Sequence, residues 1–186
     1  MIKTANMKNY FIIHGTFGHN KENWFPWLER ELEKLGYEVF NFNYPTPEGH
    51  NFENWSKVLD QAKDKITEES IFICHSSAPI FLIKYCLTNN IKIGKLIAVS
   101  GANNFKVGVP EFDDINKFMF VDDVSNFKNL CKERICIYSK NDPYIKLYAL
   151  EDFAKSINAK TIVYDKAGHF NESAGYTKFE DLLKLI

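Results

Sequence analysis

A chain of 186 residues, 45% hydrophobic and 25% charged, has the length and apolar content to fold as one globular domain, 1–186, around a substantial core. A formal net charge of −1, with acids and bases interspersed, excludes the basic stripe on which nucleic-acid binding relies. No apolar run approaches the ~20 residues of a membrane span, and Met1 to Asn9 contains no apolar signal core.

In chain order, Tyr10-Phe11-Ile12-Ile13 reads as a buried strand ending at His14-Gly15. Asn23 is the expected N-cap of a helix whose apolar face is Trp24, Trp27, Leu28, Leu32 and Leu35, with Pro26 in the first turn and Gly36 at the end. Tyr37 to Phe42 is a second strand, and an amphipathic helix is predicted from about Phe52 to Ile66. Ile71 to Cys74 is a third strand, followed almost at once by the helical apolar run Ile80 to Leu87, which Asn89-Asn90 close. Leu96 to Val99 is a fourth strand. Ala102 to Asp123 has weak periodicity and reads as a loop or short cap over the strand ends. A short helix over Val124 to Cys131, a strand over Arg134 to Tyr138, a helix over Leu147 to Ile157, a strand over Thr161 to Tyr164 and a terminal helix over Thr177 to Ile186 complete the pattern. Alternating helices and near-continuous apolar strands predict an α/β, doubly wound, mostly parallel sheet of about six strands, covered on both faces.

In such sheets functional residues gather at the carboxyl ends of the strands. Those ends carry His14-Gly15, then Ser76, Asp142 and His169, the Ser–Asp–His order of the α/β-hydrolases. A strand that turns straight into a helix leaves one residue at a sharp apex, and Ser76 is that residue, with Cys74 and Ala78 where a nucleophile elbow usually has glycines. A serine hydroxyl becomes a nucleophile when an imidazole takes its proton, and the imidazole needs a carboxylate to fix its tautomer. Ser76, His169 and Asp142 fill these roles, and the backbone N–H groups of Thr16 and Ser77 are the candidate oxyanion donors. Ser77 is the rival nucleophile and Asp165 the rival acid; Asp113, Asp114, Asp122 and Asp123 rank below it. Phe17, Trp24, Phe105 and Phe170 are aromatics near this edge that line an acyl pocket or else pack in the core. His14 is expected to brace the oxyanion loop and His75 to serve structurally within the elbow.

His14-Gly15-Thr16, Trp24-Phe25-Pro26-Trp27-Leu28, His75-Ser76-Ser77-Ala78, Ser139-Lys140-Asn141-Asp142-Pro143-Tyr144 and Ala167-Gly168-His169-Phe170-Asn171 together resemble the small serine hydrolases related to retinoblastoma-binding protein nine. The resemblance implies a compact α/β-hydrolase with little or no lid and a Ser-Asp-His triad.

The expected activity is carboxylesterase-like hydrolysis of a small ester, thioester or amide through an acyl-enzyme. The alternative is a hydrolase scaffold that has become a protein-interaction module. No cofactor is implied. The histidines lack metal-ligand spacing, so no metal is expected either. Cys74, Cys86, Cys131 and Cys136 form no CxxC pair and sit in or beside apolar runs, which favours free buried thiols in a reducing compartment, by default the cytoplasm. The expected partner is a small acyl substrate, with neither nucleic acid nor membrane; nothing in the sequence indicates a protein partner.

Overall fold

Alternate side chains of β1 (Asn9–Ile13) enter two different cores, Tyr10 and Ile12 one and Phe11 and Ile13 the other. That is the period-two geometry of a strand buried on both faces. The computed structural model describes residues 8–103 and 110–186. The remaining strands are β2 (Glu38–Phe40), β3 (Ile71–His75), β4 (Ile93–Val99), β5 (Cys131–Ser139) and β6 (Lys160–Tyr164). All pair in parallel, in the order β2-β1-β3-β4-β5-β6.

Helix α1 (Phe25–Lys34) packs Phe25, Trp27, Leu28 and Leu32 on one face, with Phe179 and Leu182 from the chain's end beside them. Trp55 and Leu59 of α2 (Phe52–Leu59), Phe81 of α3 (Ala78–Asn89) and Phe153 of α5 (Leu147–Ser156) cover the other face. Helix α3 is apolar almost all round and buried accordingly, from Ala78 through Ile83 and again at Tyr85 and Cys86. A shorter helix, α4 (Pro110–Asn116), lies between β4 and β5. The four cysteines are free and buried. No described helix is long and apolar enough to cross a membrane.

Several elements differ from expectation. Asn23 does not cap α1: its φ is +52°, Trp24 holds the N-cap position, and the Asn23 side-chain oxygen instead accepts the Glu172 N–H at 2.8 Å. Leu35, assigned to the apolar face, is 62% exposed. β2 has only three residues. The second helix stops being α-helical at Leu59 and continues as a 3-10 turn, Asp60–Lys65, kinked at Ala62. The predicted helices over Val124–Cys131 and Thr177–Ile186 are 3-10 turns, Ser125–Asn129 and Glu180–Lys184.

The chain winds outward from β1 to β2 and in the opposite direction from β3 to β6, so the topological switch lies between β1 and β3. A crevice opens at the carboxyl ends of the strands at such a point. Gly15 follows β1 and Ser76 follows β3.

Candidate active site

Ser76 occupies the turn from β3 to α3 with φ +59°, the left-handed region that a non-glycine residue enters at a cost of about 1–3 kcal/mol. Its N–H is tied to the Val99 carbonyl at the end of β4, 2.9 Å away. Cys74 and Ala78, where elbow glycines were expected, are both fully buried in the core. The close approach comes instead from Gly15: a Cβ there would lie 2.6 Å from Ser76 Cβ and 3.1 Å from the His75 carbonyl oxygen. Gly15→Ala is therefore expected to displace the elbow and lower kcat about 100-fold, checked by steady-state ester kinetics.

Asp142, in the loop after β5, has a fully buried carboxylate. One oxygen accepts the N–H groups of Tyr144 (2.9 Å) and Ile145 (3.0 Å), and the other accepts from His169 Nδ1 at 2.7 Å. Burial opposes its ionisation. The His169 hydrogen bond and charge, with the two N–H donors, outweigh burial and hold the carboxyl below its ordinary range. With Nδ1 committed as the donor to Asp142, Nε2 is the ring nitrogen left for another partner.

The loop bearing His169 is pinned from several sides. Ser139 Oγ accepts the Ala167 N–H at 2.8 Å, the Asn141 side-chain oxygen accepts the Gly168 N–H at 2.9 Å, and His75 Nε2 donates to the His169 carbonyl at 2.8 Å. Burial pushes the His75 pKa down to about 3, so the ring stays neutral. His14 is also buried and neutral, pushed down to about 4 by burial, and bridges the Gly15 carbonyl (2.8 Å) to the Tyr44 N–H (2.8 Å). Both histidines protonate more readily in the unfolded chain, near pH 6.5, so the folded state loses stability as pH falls below that value. At pH 5 the loss is about 2 kcal/mol for each ring. A melting temperature roughly 10 °C lower at pH 5 than at pH 7.5 is expected, and an unchanged one would contradict neutral burial of the two rings.

Ser76 and His169 line one cavity of about 470 Å³. Among the described residues the Ser76 hydroxyl makes no hydrogen bond, so in this resting geometry it is not yet joined to His169. Phe17, Phe112 and Tyr144 form an aromatic wall that reaches His169: Phe17 meets Phe112 edge-on at 5.1 Å, and Tyr144 meets the His169 ring at 5.0 Å. The lining also includes the polar residues Glu22, Asn23, Asn171 and Glu172.

Of the aromatics singled out in the sequence, Phe17 lines the cavity. Trp24 and Phe170 do not; both are fully buried in the core, and the Trp24 indole N–H donates to the Phe170 carbonyl at 2.9 Å, bracing the chain beside His169. Phe105 lies outside the described residues. The Thr16 N–H donates to Ser77 Oγ at 3.0 Å, whereas the Ser77 N–H meets no acceptor among the described residues. Ser77 itself is wholly buried and does not line the cavity, and Asp165 sits in an exposed ion pair with Lys140 at 2.7 Å. Neither rival joins Ser76 and His169. Asp114 pairs with Lys117 at 3.9 Å, and Asp123 accepts the Ser125 N–H at 2.8 Å, so these acids serve elsewhere. Among the described residues no group of three or more His, Cys, Asp or Glu is placed to hold a metal ion. Sequence reasoning did not single out Phe112, Asn116, Tyr144 or Ile145 as cavity residues. Tyr144 and Ile145 had a signal, since they follow the Asp142-Pro143 turn directly.

The family model described as "Serine hydrolase" matches residues 10–186. Protein YdeN of Bacillus subtilis (strain 168), which carries the name of a hydrolase, is 27% identical over 172 residues, spanning 91% of this chain and 90% of its own. The crystal structure of the B. subtilis ydeN product superposes with a TM-score of 0.87 at 25% identity, covering 96% of both chains. More distant structures share the fold: the mouse α/β-hydrolase domain-containing protein 10 (TM-score 0.69, 12% identity, 95% of this chain and 90% of that one) and an esterase from Pyrococcus furiosus (TM-score 0.67, 17% identity, 97% and 80%).

Proposed function

Because the chain belongs to the serine hydrolase family, we propose that it is a carboxylesterase-like enzyme cleaving a small ester, thioester or amide through an acyl-enzyme on Ser76, with His169 as base and Asp142 as its orienting acid. The observation that carries this reading is the buried 2.7 Å Asp142–His169 hydrogen bond, opening onto the same cavity as a serine at positive φ. The esterase name of the Pyrococcus relative agrees with the ester class.

Ser76 Oγ rotates toward His169 Nε2, gives it the hydroxyl proton and attacks the substrate carbonyl carbon. Catalytic hydrogen bonds often tighten only once substrate is bound, so an unjoined resting hydroxyl is compatible with this step. The carbonyl π electrons move onto oxygen, and the Ser77 N–H donates to the oxyanion. The Thr16 N–H, held at rest by Ser77 Oγ, is the second donor: a charged oxyanion is a stronger acceptor than a neutral hydroxyl. His169 then returns the proton to the leaving oxygen, sulfur or nitrogen as its bond to carbon breaks. Water, deprotonated by His169, attacks the acyl-Ser76 carbonyl carbon; as the bond from that carbon to Ser76 Oγ breaks, His169 returns the proton to Oγ and the acid leaves.

The aromatic wall of Phe17, Phe112 and Tyr144 suits an apolar acyl or leaving group. Rapid mixing with a p-nitrophenyl ester tests the mechanism. A burst of one p-nitrophenol per chain, followed by slower turnover, is expected when deacylation limits the rate. Hydrolysis without any intermediate that nucleophiles such as hydroxylamine can trap would overturn the acyl-enzyme.

A further inference from the structure

Thr16 and Asn116, which line the cavity, belong to a largely buried polar chain whose hydrogen-bond directions are fixed by its chemistry. The Asn116 side-chain nitrogen donates to the Phe112 carbonyl at 2.9 Å, so its oxygen faces Thr16 and accepts the Thr16 hydroxyl at 2.6 Å. His50 Nε2 donates to the same oxygen at 3.2 Å. The Thr16 hydroxyl proton is then committed to Asn116, so the proton in the 2.8 Å contact between Ser77 Oγ and Thr16 Oγ1 belongs to Ser77. Ser77 Oγ in turn accepts the Thr16 N–H. Asn116 is 1% exposed, His50 6% and Ser77 0%, so water competes weakly for these partners.

Two hydrogen bonds thus clamp Thr16 to Ser77, the residues that carry both oxyanion donors in the proposed mechanism. The outer end of the clamp is fastened by a residue of α4, which also contributes Phe112 to the aromatic wall. From this arrangement we infer that Asn116 is a positioning residue for catalysis: through the Thr16 hydroxyl it fixes where the Thr16 N–H stands as the oxyanion forms. When that N–H leaves Ser77 Oγ, the hydroxyl bonds to Asn116 and Ser77 still hold the loop and limit its swing. The inference rests on the acyl-enzyme reading above and adds to it a residue that touches no reacting atom.

The test is a double-mutant cycle in the full chain, read with a short-chain p-nitrophenyl ester. Asn116→Leu and Thr16→Val, which keeps the backbone N–H, are each expected to lower kcat about tenfold or more with KM within about threefold. The double variant is expected to be no slower than the worse single one, because both remove the same connection. Thr16→Ser is expected to recover most of the loss of Thr16→Val. A role confined to stability would change the melting temperature and leave kcat unmoved. The inference is overturned if Asn116→Leu keeps kcat within about twofold, if its effect falls on KM alone, or if the two losses multiply. Should Asn116→Leu fail to fold, equal kcat in Thr16→Val and Thr16→Ser overturns it. Failure of the underlying reading looks different: the unmodified protein itself would then form no acyl-enzyme, and the inference falls with it.

Discussion

Ser76→Ala is expected to lower kcat for ester hydrolysis by about 10⁶-fold, to the level left by binding and oxyanion stabilisation alone. No other hydroxyl can take over. Ser77 is wholly buried and its hydroxyl is engaged by Thr16 on both sides, while the loop at Gly15 closes over the elbow. Removing one Oγ from a turn held by its backbone, through the Ser76 N–H to the Val99 carbonyl, leaves the fold intact. The melting temperature is therefore expected to stay within a few degrees. Steady-state kinetics and a thermal melt on the same preparation check both halves. A Ser76→Ala protein that retained a tenth of the activity would require a different nucleophile.

Asp142→Asn is expected to cost about 10⁴-fold in kcat while preserving the geometry of the loop. The N–H groups of Tyr144 and Ile145 demand an oxygen at the position they now share, so the amide nitrogen must face His169 Nδ1. That nitrogen is a donor, which forces Nδ1 to accept and moves the ring proton to Nε2. The imidazole would then present a proton to Ser76 where a lone pair is needed. Ester kinetics check the loss. Fluorophosphonate labelling of Asp142→Asn should be slowed in parallel, because phosphonylation of Ser76 uses the same base. Labelling at an undiminished rate would mean that Asp142 does not orient His169.

The strands were legible in the sequence because a doubly covered parallel sheet demands near-continuous apolar runs, and Ile71 to Cys74 or Leu96 to Val99 meet that demand without ambiguity. Strand ends then pointed to Ser76, Asp142 and His169, since in this architecture functional residues gather at the strand termini. Less was legible where tertiary contacts outweigh local pattern. Trp24 and Phe170 follow strand ends just as Phe17 does, and only the indole hydrogen bond between them shows that they brace the His169 loop from behind. The apolar periodicity of 177–186 suggested a helix, yet Leu182 is buried from a 3-10 turn and Phe179 from the residue just before it. Most was hidden around α4. Phe112 and Asn116 belong to a segment of weak periodicity, and their importance lies in partners about a hundred residues away, Phe17 and Thr16.

The nucleophile is the central claim, and intact-mass analysis with peptide mapping after exposure to a fluorophosphonate tests it most directly. The account predicts one adduct per chain on the peptide that contains Ser76, none in Ser76→Ala, and much slower labelling in His169→Ala. A folded protein that takes up no adduct, or one that carries it on Ser77, would contradict the account.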